Sequence, residues 1–257
     1  MVNPPQTTIV EKSPLHFARL EFKYLLPAEK RRRVENDLRY FLDCDPFVTD
    51  KPDQKYTVRS LYYDDPRYGA FHDKIDGMHT RSKFRLRTYT INPDQRVPAF
   101  LEIKGRHNNL VFKHRAPVEG QNIRLEHFQD HNLSMTLLKN TAQSDVRDQF
   151  TFEFFRKRLR PVALIDYQRR PYISKYDPGF RITFDEKITA TKTRCLFPGP
   201  EAQVKQVLAG YTVLEVKFRH HMPSWFHQVL QAHELKRISI SKIVSGMETL
   251  GLARDEQ

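Results

Sequence analysis

The sequence predicts an α+β fold: an eight-stranded antiparallel β-barrel tunnel with a charged interior, flanked by helices. Three observations carry that expectation. Four segments place charged or polar residues on one strand face: Lys83, Arg85 and Arg87; Glu102, Lys104 and Arg106; Arg181, Thr183 and Asp185; Glu215, Lys217 and Arg219. The residues between them, among them Phe84, Leu86, Leu101, Ile103, Ile182, Phe184, Leu214 and Val216, are apolar, and successive side chains of a strand point to opposite faces. Strand-like runs are also interrupted by helical ones and joined partly by hairpin turns, which favours an antiparallel α+β arrangement. Closing eight such strands would enclose the charges and turn the apolar faces towards the helices.

The elements follow in order. The first strand is expected over Phe17 to Leu25, with Arg19, Glu21 and Lys23 on one face. Pro27 starts a helix with an apolar stripe of Val34, Leu38, Phe41 and Leu42, and its basic run from Lys30 to Arg33 reads as a solvated face. Tyr56 to Asp64 is rich in β-branched and aromatic residues and forms strand two. A short helix opens at Pro66 and runs to Lys74, before a turn at Asp76-Gly77. Strand three covers Thr80 to Ile91. Strands four and five, Pro98 to Arg106 and Leu110 to Val118, flank a hairpin turn at His107-Asn108-Asn109. Ile123 to Leu159 is helical with a break near Asn140 to Ser144. Strands return at Pro161 to Tyr172, Gly179 to Ile188 and Tyr211 to Arg219, and Gly199-Pro200 marks a loop before a short helical segment. Helices from Pro223 and over Ser241 to Leu250 complete the chain.

No linker divides the 257 residues, so one domain is expected over residues 15–252, after a flexible segment, 1–14, and before a tail, 253–257. Lys and Arg total 43 against 31 Asp and Glu, a formal charge of +12. That surplus favours an anionic partner without choosing one. Cys44 and Cys195 lack metal-type spacing and suit a reducing cytoplasm. No run approaches the roughly 18 apolar residues of a membrane span.

Arg offers phosphate a planar fork and Lys a mobile point charge. A tunnel lined by Lys23, Arg85, Arg87, Lys104, Lys113, Arg169, Arg181 and Lys217 would suit a linear chain of phosphates better than a single group. Glu21, Glu102 and Glu215 on the same faces would either hold Mg²⁺ or Mn²⁺, which take oxygen ligands, or pair with neighbouring cations. Removing a wall arginine such as Arg85 or Arg181 is expected to relieve repulsion in the empty protein. Nucleotide-binding glycine loops and HExxH are absent from the sequence. His127/His131 and His220-His221 have no third ligand and read as surface histidines. Tyr62, Tyr63 and Tyr89 could stack bases, but they lie in strands and are expected to pack, so nucleic acid is not an expected partner.

The ordered set RLEFKYLL (19–26), YTVRSLYYDD (56–65), KIDGMHTRSKFRLRTY (74–89), FLEIKGR (100–106), FKHR (112–115), YQR (167–169), RITFD (181–185), VLEVK (213–217) and SK (241–242) resembles the VTC domain. This is the polyphosphate polymerase branch of the CYTH-like triphosphate tunnel metalloenzymes. The resemblance implies an eight-stranded tunnel in which the γ-phosphoryl group of ATP moves onto a growing polyphosphate chain with Mn²⁺ or Mg²⁺. It implies that Lys23, Arg85, Arg87, Lys104, Lys113, Arg169, Arg181 and Lys242 hold phosphates and that Glu215 is the principal metal ligand. Arg19 stands where the wider superfamily's ExExK signature has an acid, which argues against a thiamine triphosphatase or class IV adenylyl cyclase and against a two-metal site. ATP, polyphosphate, triphosphate and pyrophosphate are the implied ligands, and a separate membrane protein is a conceivable recipient of product. The alternatives are a triphosphatase or polyphosphatase and a non-catalytic polyphosphate sensor.

Overall fold

In the computed structural model, which describes residues 20–95, 97–108, 110–118 and 137–253, the alternating side chains build one antiparallel sheet. Its strands are β1 (Leu20–Pro27), β2 (Leu42–Cys44), β3 (Tyr56–Asp64), β4 (Thr80–Thr88), β5 (Ala99–His107), β6 (Leu110–Val118), β7 (Arg160–Ser174), β8 (Arg181–Thr191), β9 (Val204–Gln206) and β10 (Tyr211–Phe218). Eight follow one hydrogen-bonded path, β1-β10-β8-β7-β3-β4-β5-β6, while β2 adds to β7 and β9 to β8. The helices are α1 (Ala28–Leu38), α2 (Gly69–Ile75), α3 (Asp145–Lys157), α4 (Ser224–Ala232) and α5 (Lys242–Leu250).

The sheet curls on itself, and no ladder among the described residues closes it into the expected barrel. Among the described residues, β1 and β6 at the two ends of the path share no ladder. Lys104 of β5 nevertheless reaches Glu21 of β1 at 2.9 Å, which requires the sheet to curve until its ends face each other. A row of unpaired backbone groups at a strand edge invites another partner. On β1, the Lys23 carbonyl accepts a hydrogen bond from the Ile238 amide at 2.9 Å. The segment between α4 and α5 therefore covers part of this edge.

Apolar faces bury against helices as the alternation predicts. Leu61, Phe84, Leu86, Leu101 and Ile103 pack with Phe150 of α3. Tyr24, Leu26, Ile182, Phe184, Leu214 and Val216 pack with Val34 and Leu38 of α1 and Phe226 of α4. Burying each such side chain is worth about 1.5–3 kcal/mol. The third core departs from expectation, because it occupies the inner face of the sheet. Register places Ile165 opposite Ser60 and Ala190, and Val213 opposite Asp185. Ile165, Ala190 and Val213 are covered by Ile243, Val244 and Met247 of α5. Gly246 permits this approach, since a Cβ there would stand 2.5 Å from Ile165 Cδ1.

Several boundaries differ from the sequence reading. α1 stops at Leu38, and Leu42 begins β2 instead of extending the helical stripe. α2 starts at Gly69 rather than Pro66, because Asp64 and Asp65 accept hydrogen bonds from the amides of Gly69, Ala70 and Phe71 and cap it there. The segment after Gly199-Pro200 is not helical; β9 pairs with Thr189–Thr191 of β8. Arg19, His127, His131, most of the first expected helix after Ile123 and the predicted flexible segment lie outside the described residues.

Candidate functional site

Strand alternation brings the cationic side chains to one cavity of about 860 Å³. Lys23 of β1, Arg85 and Arg87 of β4, Lys104 of β5, Lys113 of β6, Arg169 of β7 and Lys217 of β10 line it. Lys242 joins from the first position of α5, which the inner apolar core fixes in place. Gly105 makes room for the Phe112 ring directly opposite it on β6, beside the paired Lys104 and Lys113, because that ring occupies the space a Cβ would take.

Four carboxylates pair with these cations, each with two or more, and of the four Glu21 and Glu215 line the cavity. Glu21 lies 2.9 Å from Lys104 and 3.2 Å from Lys23. Glu215 lies 2.7 Å from Lys217, 3.7 Å from Lys242 and 3.8 Å from Arg169. Asp185 accepts both Nε and Nη2 of Arg169, at 2.6 and 2.7 Å, and pairs with Lys242 at 2.6 Å. Glu102 meets Arg85 at 2.6 Å, Lys113 at 2.5 Å and Arg87 at 3.6 Å. Hydroxyls complete the arginine contacts: Arg85 donates to Tyr62 at 2.8 Å, and Arg87 to Ser60 at 3.0 Å and Tyr167 at 3.4 Å.

These neighbours set the ionisation states. Burial and the nearby Glu215 both work to raise the Glu21 carboxyl, but Lys104, Lys23 and Lys217 outweigh them and hold it well below the usual range. Burial likewise opposes ionisation of Glu215 and is overcome by Lys217, Lys242 and Arg169. Glu102 is depressed by Arg85, Arg87 and Lys113 against its own desolvation. Burial pushes Lys113 down to about 7, a shift only partly opposed by Glu102. Lys83 lines the same cavity and has no carboxylate partner among the described residues. Burial, then Lys23 and Lys104, push its amine well below the ordinary lysine value.

The structure unites most of the predicted residues but separates two. Glu102 has no exposed surface, does not line the cavity, and is enclosed by its three cations; it is an ion-pair anchor rather than an open metal ligand. Arg181 shares its strand face with Asp185 but is drawn away by an ion pair with Asp45, outside the cavity lining. Tyr62 and Tyr63 are buried, as expected of strand residues that pack, although Tyr62 also lines the cavity. Sequence reading did not place Asp185, Ser60, Tyr62 or Tyr167 against the arginines, which they contact from other strands.

The fold and site define a class: an α+β domain whose curled antiparallel sheet encloses a cation-walled cavity with a few carboxylates among the cations. The chain belongs to the VTC domain family, whose model matches residues 18–251. Its fold is similar to that of a "putative adenylate cyclase" from Bacillus halodurans, at 12% identity over 88% of this chain and 94% of that one, with a TM-score of 0.52. A protein from Pyrococcus horikoshii aligns over 90% of this chain and 98% of its own at 12% identity, with a TM-score of 0.46. Similarity at such identity speaks to fold alone. No curated protein matches the chain. Among the described residues, no helix is long and apolar enough to cross a membrane.

Proposed function

We propose that this chain is a polyphosphate polymerase that transfers the γ-phosphoryl group of ATP to a growing polyphosphate chain within the cavity. The observation that supports this reading is the composition of the wall. Lys23, Arg85, Arg87, Lys104, Lys113, Arg169, Lys217 and Lys242 face one space, and two carboxylates, Glu21 and Glu215, face it with them. Enclosing that many cations is costly unless an anion accompanies them, and a row of phosphates supplies one negative group after another.

The carboxylates fit a divalent cation of the Mg²⁺ or Mn²⁺ type. Such an ion commonly takes one or two carboxylates and fills its remaining positions with phosphate oxygens and water. Glu215 is the principal candidate and Glu21 the second, both ionised and open to the cavity. Among the described residues, no three His, Cys, Asp or Glu side chains converge, so the donor set suits shared coordination with substrate. When bound, the ion would neutralise charge on the transferring group.

The chain's own residues do the rest. The lysines and arginines hold donor and acceptor in line and stabilise charge on the transferred group. Bidentate pairing with Asp185 fixes the Arg169 guanidinium plane, and the Glu102 pairs do the same for Arg85. A terminal phosphate is already an anionic nucleophile, so no general base is needed.

Incubating the purified chain with ATP and Mn²⁺ and resolving the products by gel tests this reading. Lengthening phosphate chains with one ADP per unit added are expected. Orthophosphate release from triphosphate without chain growth would replace the polymerase by a triphosphatase, with water in the acceptor position.

A further inference from the structure

A second cavity, of about 510 Å³, adjoins the first and shares Lys74, Arg81, Arg106 and Ser239 with it. The two spaces differ in charge composition. The inner one is partly neutralised by Glu21 and Glu215, whereas no carboxylate lines the outer one among the described residues. Lys74 donates to Ser239 Oγ at 2.9 Å, Lys83 to Ser241 Oγ at 2.7 Å, and Arg81 to the Met78 carbonyl at 2.5 Å. None of these three cations has an ion-pair partner among the described residues. Asp73, the nearest acidic influence on Arg81, lines neither cavity.

The contrast has an electrostatic consequence. Inside, each wall carboxylate already satisfies two or more cations, and an incoming phosphate must compete with it. At the outer cavity, Lys74 and Arg81 hold only neutral oxygens, as does Lys83 just inside it, and a phosphate oxygen would replace these with a stronger, charge-assisted bond. The acceptors Ser239 and Ser241 belong to the segment that also bonds to the edge of β1, and Lys74, Arg81 and Ser239 line both spaces, so the cationic cluster stands where the two cavities adjoin.

Resting on the polymerase reading, we propose that the outer cavity is a second phosphate-chain site. It holds the units of a linear polyphosphate that extend beyond the inner cavity, so that the protein prefers long chains to triphosphate. Lys74 and Arg81 grip those outer units, and Lys83 stands at the junction between the two sites.

The test compares tripolyphosphate with a long-chain polyphosphate by calorimetric titration of the wild type and of the double variant Lys74→Ala/Arg81→Ala, with a melting curve to confirm folding. The wild type is expected to bind the long chain more tightly. The variant should lose about tenfold or more in long-chain affinity, the loss of one or two charge-assisted bonds, while triphosphate affinity changes less than threefold. Equal losses for both ligands, or none for either, would overturn the outer site and leave the tunnel assignment standing. Failure of the wild type to bind either ligand would overturn both.

Discussion

Glu215→Gln is expected to reduce metal-dependent turnover by about two to three orders of magnitude, the scale of several kcal/mol that a cation contributes to transition-state charge stabilisation. The amide keeps the shape of the side chain and removes its charge. Glu215 faces the cavity against Lys217, Lys242 and Arg169, so the substitution also frees three cations. Polyphosphate affinity should therefore hold or rise while turnover collapses. Steady-state rates over a Mn²⁺ series, beside binding measured without metal, separate the two effects. A variant that keeps full metal-dependent activity would reduce Glu215 to an ion-pair partner.

The second large effect is on stability. Arg85→Ala is expected to destabilise the empty protein, reversing the sequence expectation that loss of a wall arginine relieves repulsion. Glu102 has no exposed surface, and Arg85 is its closest guanidinium partner, at 2.6 Å. Breaking a buried pair leaves an uncompensated charge, typically at a cost of about 3–5 kcal/mol. Arg87 and Lys113 remain beside Glu102, which places the loss towards the lower end of that range. Denaturant unfolding measures it. Adding Glu102→Gln to the same chain should recover part of the loss, because the stranded charge disappears. A single variant as stable as the wild type would contradict the role assigned to Glu102.

These two residues also show what the sequence could and could not disclose. Period-two alternation put Glu102, Arg85, Glu215 and Lys217 on the correct face, because side-chain direction in a strand is a local property. It could not distinguish Glu215, open to the cavity, from Glu102, sealed behind three cations. Arg181 has the right parity, yet its position depends on Asp45, 136 residues away in the chain. Strands β2 and β9, with three residues each, are too short for periodicity to register. The apolar stripe of α5 showed that the helix packs. It did not show that it packs inside the curled sheet, where it seats Lys242. The outer cluster was equally hidden, since Lys74 and Ser239 meet across 165 residues.

Calorimetric titration of the metal-free protein with tripolyphosphate near pH 7.5 tests most directly whether the cavity holds a phosphate chain. A bound anion favours the protonated form of a nearby amine. Lys113, whose amine burial pushes down to about 7 in the empty cavity, should therefore take up a proton on binding. The expected result is saturable binding that weakens with salt and with rising pH, with net proton uptake revealed by buffers of different ionisation enthalpy. Absence of saturable binding, or binding without proton uptake, would contradict the account.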